Sequence, residues 1–198
     1  LVIVSVGTLL AGIALHTEAA LAASFYYLIH STLICGALFL LADIIQRQRG
    51  ELADRISKGP RLAQSALLGA LFFIAAISVI GLPPLSGFIG KLLLLSAAGT
   101  QGYAPWLWVI LLAGSLVTLM ALSRSGSTFF WRTGDPVAGT KLADKGELLA
   151  VIGLLVCIGS VTLGASAVLD YTQALARQLL SPEAYIQAMQ QFTVKEGA

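Results

Sequence analysis

Between Leu62 and Ala98 the chain runs for 37 residues with one charged side chain, Lys91. As a single helix that stretch would be roughly 55 Å long, at ~1.5 Å per residue. A bilayer core of ~30 Å is too thin to hold it as one straight span. The run therefore belongs to a membrane and has to break inside it. The sequence supplies the break at Gly81-Leu82-Pro83-Pro84-Leu85-Ser86-Gly87. Proline removes a backbone donor and leaves earlier carbonyls unpaired. Hydrocarbon tolerates that only where protein or water satisfies them, and broken helices of this kind mark ion sites in transporters.

Four further apolar runs are visible, at Val2–Leu15, Ala19–Ala42, Trp106–Leu122 and Leu148–Leu169. Hydrophobic residues make up 57% of the chain and charged residues 11%, where soluble domains carry ~25% charged residues. The mean hydropathy is +0.87. So much apolar surface excludes a disordered chain, and two cysteines exclude a disulfide scaffold. A net charge of +2 without a basic face gives no footprint for nucleic acid. The fold expected is all-α, a polytopic transmembrane helix bundle of about five spans with one broken helix. Residues 1–169 form its membrane domain and residues 170–198 an amphipathic tail. In that tail Ser181-Pro182-Glu183 reads as a helix start, followed by an apolar stripe at Ala184, Tyr185, Ala188, Met189 and Phe192. Such a helix would lie on the membrane surface or against another subunit. Leu1 opens straight into an apolar run with no basic segment before it, so the start reads as a position inside a longer protein and not as a signal peptide.

Basic residues set the orientation. The 43–61 loop carries Arg47, Arg49, Arg55, Lys58 and Arg61, and the 123–147 loop carries Arg124, Arg132, Lys141 and Lys145. The 16–18 and 99–105 connections carry none. The alternation places both basic loops in the cytoplasm and the C-terminus outside, in a cell membrane. Trp106, Trp108 and Trp131 flank the fourth run as interfacial anchors.

Lys91 is the residue most in need of explanation. An ammonium at mid-membrane costs ~2.5–3.5 kcal/mol on insertion scales. About seven residues separate it from the 99–105 connection, ~10 Å along a helix, which is the limit of snorkelling. The alternative is a lysine facing water or a partner group inside the bundle. Desolvation works against the charged form of an amine, so such a lysine would release and reload a proton, as a relay requires. His30 lies midway along the second run among Tyr26, Tyr27, Ser31 and Thr32. It reads either as a second carrier, with hydroxyls of Tyr26, Ser31 and Thr32 as possible relays, or as a neutral core histidine. Asp43 and Glu147 sit at span ends as caps or water-facing groups, and Cys35 and Cys157 read as small core residues. Metal-ligand spacing, a phosphate-binding loop and a nucleophile triad are not found, so neither metal nor cofactor is expected.

The stretches Tyr26-Tyr27-Leu28-Ile29-His30-Ser31-Thr32-Leu33 and Gly81-Leu82-Pro83-Pro84-Leu85-Ser86-Gly87-Phe88-Ile89-Gly90-Lys91 resemble the antiporter-like subunits. That family includes proton-pumping membrane subunits of respiratory complex I and large subunits of Mrp-type cation/proton antiporters. With Asp43, the basic loop after it and the tail Leu180-Ser181-Pro182-Glu183-Ala184-Tyr185-Ile186, the wording is most similar to the D-type subunits of the Mrp (Pha/Mnh) group. The resemblance implies a larger bundle of two inverted repeats, each with a broken helix, of which this chain matches the C-terminal portion. It implies that Lys91 is the lysine of the second broken helix and His30 the histidine of the helix before it. It also implies exchange of sodium or another monovalent cation for protons, in a complex with other subunits. Where some complex I relatives carry a second histidine, Ser5 or its neighbours stand here. Two other functions fit the same residues less closely. One is a complex I or membrane-hydrogenase subunit coupled to electron transfer. The other is a non-transporting scaffold, in which Lys91 would be salt-bridged and dry.

Overall fold

The computed structural model describes residues 1–50, 55–57, 59–99, 102–131, 134 and 142–181. The tail helix expected from Ser181 onward lies outside the described residues apart from Ser181 itself, as do Lys58, Arg132 and Lys141. Every regular element among the described residues is helical: α1 (Val2–Ala14), α2 (Glu18–Arg49), α3 (Ser65–Ile80), α4 (Ser86–Ala97), α5 (Ala104–Gly126), α6 (Lys145–Leu163) and α7 (Ala165–Leu180). Helices α2, α6 and α5 with its extension are long and apolar enough to cross a membrane. Helices α3 and α4 are the two halves of the broken run, and α1 is a shorter apolar helix. The five-span, one-break pattern is the one the apolar runs predict.

Helix α2 is the axis of the bundle, packed against α1, α3, α4, α6 and α7. Thr17 starts it, its side chain accepting from Ala20 N at 3.2 Å, with Glu18 in the first turn against the positive helix end. The helix runs on to Arg49, so residues 43–49, expected as loop, are helical. Local pairing explains the extension. Arg47 spans Asp43, four residues back, and Glu147 of α6, each at 2.6 Å. Gln48 accepts from Ala63 N at 3.2 Å, closing the loop back onto the helix end.

Two other boundaries move. Beyond Gly126 the helix continues as a π-helical turn, Ser127–Trp131, instead of ending near Leu122. Phe130 of that turn packs 5.6 Å from the Phe72 ring, centroid to centroid, and over Gly69 of α3. The last span ends at Leu163, and Gly164 separates it from α7. The expected tail boundary at residue 170 thus falls inside a helix. Thr172 and Ala176 of α7 are buried, the latter against Leu21 and Ala22, and Arg177 pairs with Glu18. Helix α6 begins with a capping box made by Asp144 and Glu147, which gives Glu147 the capping role its position suggested.

The main core is apolar and lies between α2, α3 and α6, with Ile34, Leu41, Leu68, Val79, Val151 and Ile158 at its centre. Large side chains such as Ile3, Phe39, Phe73, Trp106 and Ile110 point outward. Buried His30, Ser78, Ser86 and Lys91 lie where α2 meets the α3–α4 break.

Candidate functional site

The first half-helix ends at Gly81, whose φ of 84° and ψ of 48° are left-handed. Gly81 N and Leu82 N both donate to Ile77 O, at 3.3 and 3.1 Å. The carbonyls of Val79 and Ile80 are then left free at a helix end that carries about half a negative charge. Lys91 of α4 fills this place. Its Nζ donates to Ile80 O at 2.8 Å, Val79 O at 3.4 Å and Ser115 Oγ of α5 at 2.9 Å. Three oxygens meet the three ammonium protons, and the residue is 8% exposed. The amine does not snorkel to a surface. Among the described residues it has no carboxylate partner, so the salt bridge expected for a scaffold is not there. Gly81 also makes room: a Cβ at that position would lie 3.0 Å from Lys91 Cδ and 3.3 Å from Nζ.

Pro83 and Pro84 occupy the turn between the halves and are exposed. The second half-helix starts at Ser86, which is fully buried. The Ser86 hydroxyl and His30 Nδ1 lie 2.8 Å apart and share a hydrogen bond. Ser86 N donates to Thr162 Oγ1 of α6 at 3.0 Å. Next to it, Gly87 touches the far side of the imidazole. A Cβ there would overlap Ser78 O and lie 2.7 Å from His30 Nε2. The Tyr27 ring stands 5.9 Å from the imidazole, centroid to centroid, and Gly90 packs onto the rings of Tyr27 and Tyr26.

The structure therefore gathers Lys91, His30, Gly81, Ser86, Gly87 and Tyr26 around one break. Tyr26 is fully buried and its hydroxyl donates to Val161 O of α6 at 3.4 Å. Thr32 is not part of this group: it is exposed and returns its proton to Leu28 O of its own helix at 2.8 Å. Ser31 is buried, but among the described residues it makes no hydrogen bond to the cluster. Three residues were not singled out from the sequence: Ser115, Thr162 and the fully buried Ser78, whose hydroxyl has no protein partner among the described residues. Single hydroxyls inside apolar runs are too common to be read as signals without knowing which helix faces which.

Residues 3–118, from α1 through most of α5, match the family described as NADH:quinone oxidoreductase/Mrp antiporter, transmembrane. The chain belongs to that family. It is 37% identical over 190 residues to the D-type subunit of the Na(+)/H(+) antiporter of Bacillus subtilis, covering 95% of this chain and 38% of the relative. It is 32% identical over 212 residues to the D-type subunit of the probable K(+)/H(+) antiporter of Rhizobium meliloti, covering 91% of this chain and 38% of the relative. The NADH-quinone oxidoreductase subunit N 2 of Solidesulfovibrio magneticus is 30% identical over 160 residues, 75% of this chain and 33% of that protein. The chain spans about two fifths of the length of the two antiporter relatives. The structure of the Mrp complex from Dietzia sp. DQ12-45-1b has the same fold, with a TM-score of 0.72 at 23% identity over 93% of this chain and 42% of that one. This family member is a multi-pass membrane protein.

Proposed function

We propose that the chain serves a multisubunit monovalent cation/proton antiporter as the C-terminal part of its D-type subunit, with Lys91 as the proton carrier and His30 as its relay. One observation carries this reading: an amine sits inside an apolar bundle, bonded among the described residues only to neutral oxygens at a fractured helix end. Carbonyls and a hydroxyl stabilise the ammonium without locking it, as a carboxylate would. The proton can leave without stranding a buried anion, the costly partner in a broken ion pair. The antiporter relatives support the choice of cargo, sodium or another monovalent cation, and of partners, the other subunits of an antiporter complex. The exposed Pro83–Pro84 turn is the side from which water would reach the break. The basic residues near Arg47, Arg49, Arg61 and Arg124 support a cytoplasmic position for that end of the bundle, in a cell membrane, with the C-terminus outside. The protein would act as a secondary transporter subunit rather than an enzyme.

The test is exchange in everted vesicles. Lys91→Ala in the assembled complex should abolish sodium-driven proton movement while the subunits still associate. Wild-type exchange by that variant would reject the role. A second reading, a proton-pumping subunit coupled to quinone reduction, is favoured by the NADH-quinone oxidoreductase relative. It predicts proton movement driven by NADH and lost with a quinone-site inhibitor, where the antiporter reading predicts dependence on the cation gradient alone.

A further inference from the structure

Helix α6 lies beyond the family-matched residues, yet one of its side chains bonds the start of the second half-helix. The start of a helix leaves its first N–H groups without partners inside the helix, and inside a membrane nothing but protein or water can satisfy them. Leu85, the residue capping α4, has no side chain able to accept. Ser86 N donates instead to Thr162 Oγ1 at 3.0 Å, and the Thr162 hydroxyl gives its own proton to Ile158 O at 2.9 Å. That second bond fixes the direction of the first: with its proton committed, Thr162 meets α4 only as an acceptor. The residue so anchored is the one whose hydroxyl lies 2.8 Å from His30 Nδ1, while Gly87 closes on Nε2 with no space for a Cβ. The imidazole lies against the first two residues of α4, and α6 bonds the first of them through Thr162.

We infer that Thr162 is a positioning residue of the proton relay: a cap supplied by α6 that holds Ser86, and through it His30, in the geometry that proton transfer needs. The inference rests on the antiporter reading above and adds to it a residue on a helix outside the matched region. Among the described residues, the titratable groups on the helices around His30 are few. Its own helix gives Tyr26 and Tyr27, and α4 gives Lys91. Helices α1 and α3 bring no titratable residue, α6 brings Lys145 and Glu147 at its far end and the exposed Cys157, and α7 brings only the exposed Asp170, Tyr171 and Arg177. Each variant is therefore read as a shift of the pH profile against the wild-type complex.

The experiment measures the pH profile of antiport by the assembled complex in everted vesicles. Thr162→Val, which keeps the shape and loses the acceptor, should lower exchange about tenfold, the scale of one buried N–H left unpaired. It should also move the midpoint of the profile by about half a pH unit or more. Thr162→Ser should restore both. Ser86→Ala keeps the backbone bond to Thr162 but removes the hydroxyl facing His30, and should give the same shift with normal assembly. In a His30→Gln background, Thr162→Val should add no further shift. If Thr162→Val lowers assembly, the midpoint is read per assembled complex and compared with that of Thr162→Ser, and an unmoved midpoint there still overturns the role. An unmoved midpoint in either variant, or shifts that add in the double variant, would overturn the positioning role. Exchange surviving Lys91→Ala would instead overturn the antiporter reading itself.

Discussion

Arg49 and Lys91 are nearly buried, at 5% and 8% exposure, and both are solvated by backbone carbonyls rather than by carboxylates among the described residues. The Arg49 guanidinium donates to Arg55 O and Ser57 O, each at 2.6 Å, and lies 4.8 Å above the Phe129 ring. It closes the loop after α2 and ties it to the π-helical turn. Lys91 uses Ile80 O, Val79 O and Ser115 Oγ at a helix end in the membrane interior. The means of stabilising charge is the same and the chemistry is different. A guanidinium stays protonated in proteins, so Arg49 is a permanent clamp. An amine responds to burial and can give up its proton, so the same arrangement makes Lys91 a switch.

Three variants sharpen that contrast, from the largest effect to the smallest. Gly87→Ala would push a methyl group onto Ser78 O and His30. Overpacking of this kind costs about 1–3 kcal/mol, and exchange should fall at least about tenfold, measured as proton flux per assembled complex. Arg49→Gln should act on the other region. Losing the fork to two loop carbonyls should lower stability by about 1–3 kcal/mol, read as a lower thermal midpoint in detergent, with exchange per complex unchanged. A large loss of exchange there would mean that Arg49 is more than a clamp. Ser115→Ala removes one of three Lys91 partners and leaves both carbonyls. Exchange should drop about fivefold, near the ~1 kcal/mol of one hydrogen bond, and no change would show that the carbonyls suffice.

The sequence shows Lys91 clearly and hides Arg49, although the two side chains are bound alike. Lys91 is alone in an apolar run, so its cost is visible in one dimension. Arg49 sits among five basic residues of the 43–61 stretch, and only the fold reveals that it turns inward. The break at Gly81–Ser86 was legible for a similar reason, since proline and glycine act on the backbone locally. The continuation of α2 to Arg49 is only partly local: Asp43 and Arg47 stand four apart, but the pairing of Arg47 with Glu147, a hundred residues away, is not visible in the sequence. The same holds for Ser115 and Thr162. Each is an ordinary hydroxyl until α5 and α6 bring it against α4.

The most direct test of Lys91 as a proton carrier is the antiport activity of Lys91→Arg in the assembled complex. The variant keeps a cation of similar reach at the helix end but cannot release its proton. An intact complex with no exchange is the expected result. Exchange at the wild-type rate would show that a fixed charge is enough, and Lys91 would then be a second clamp like Arg49.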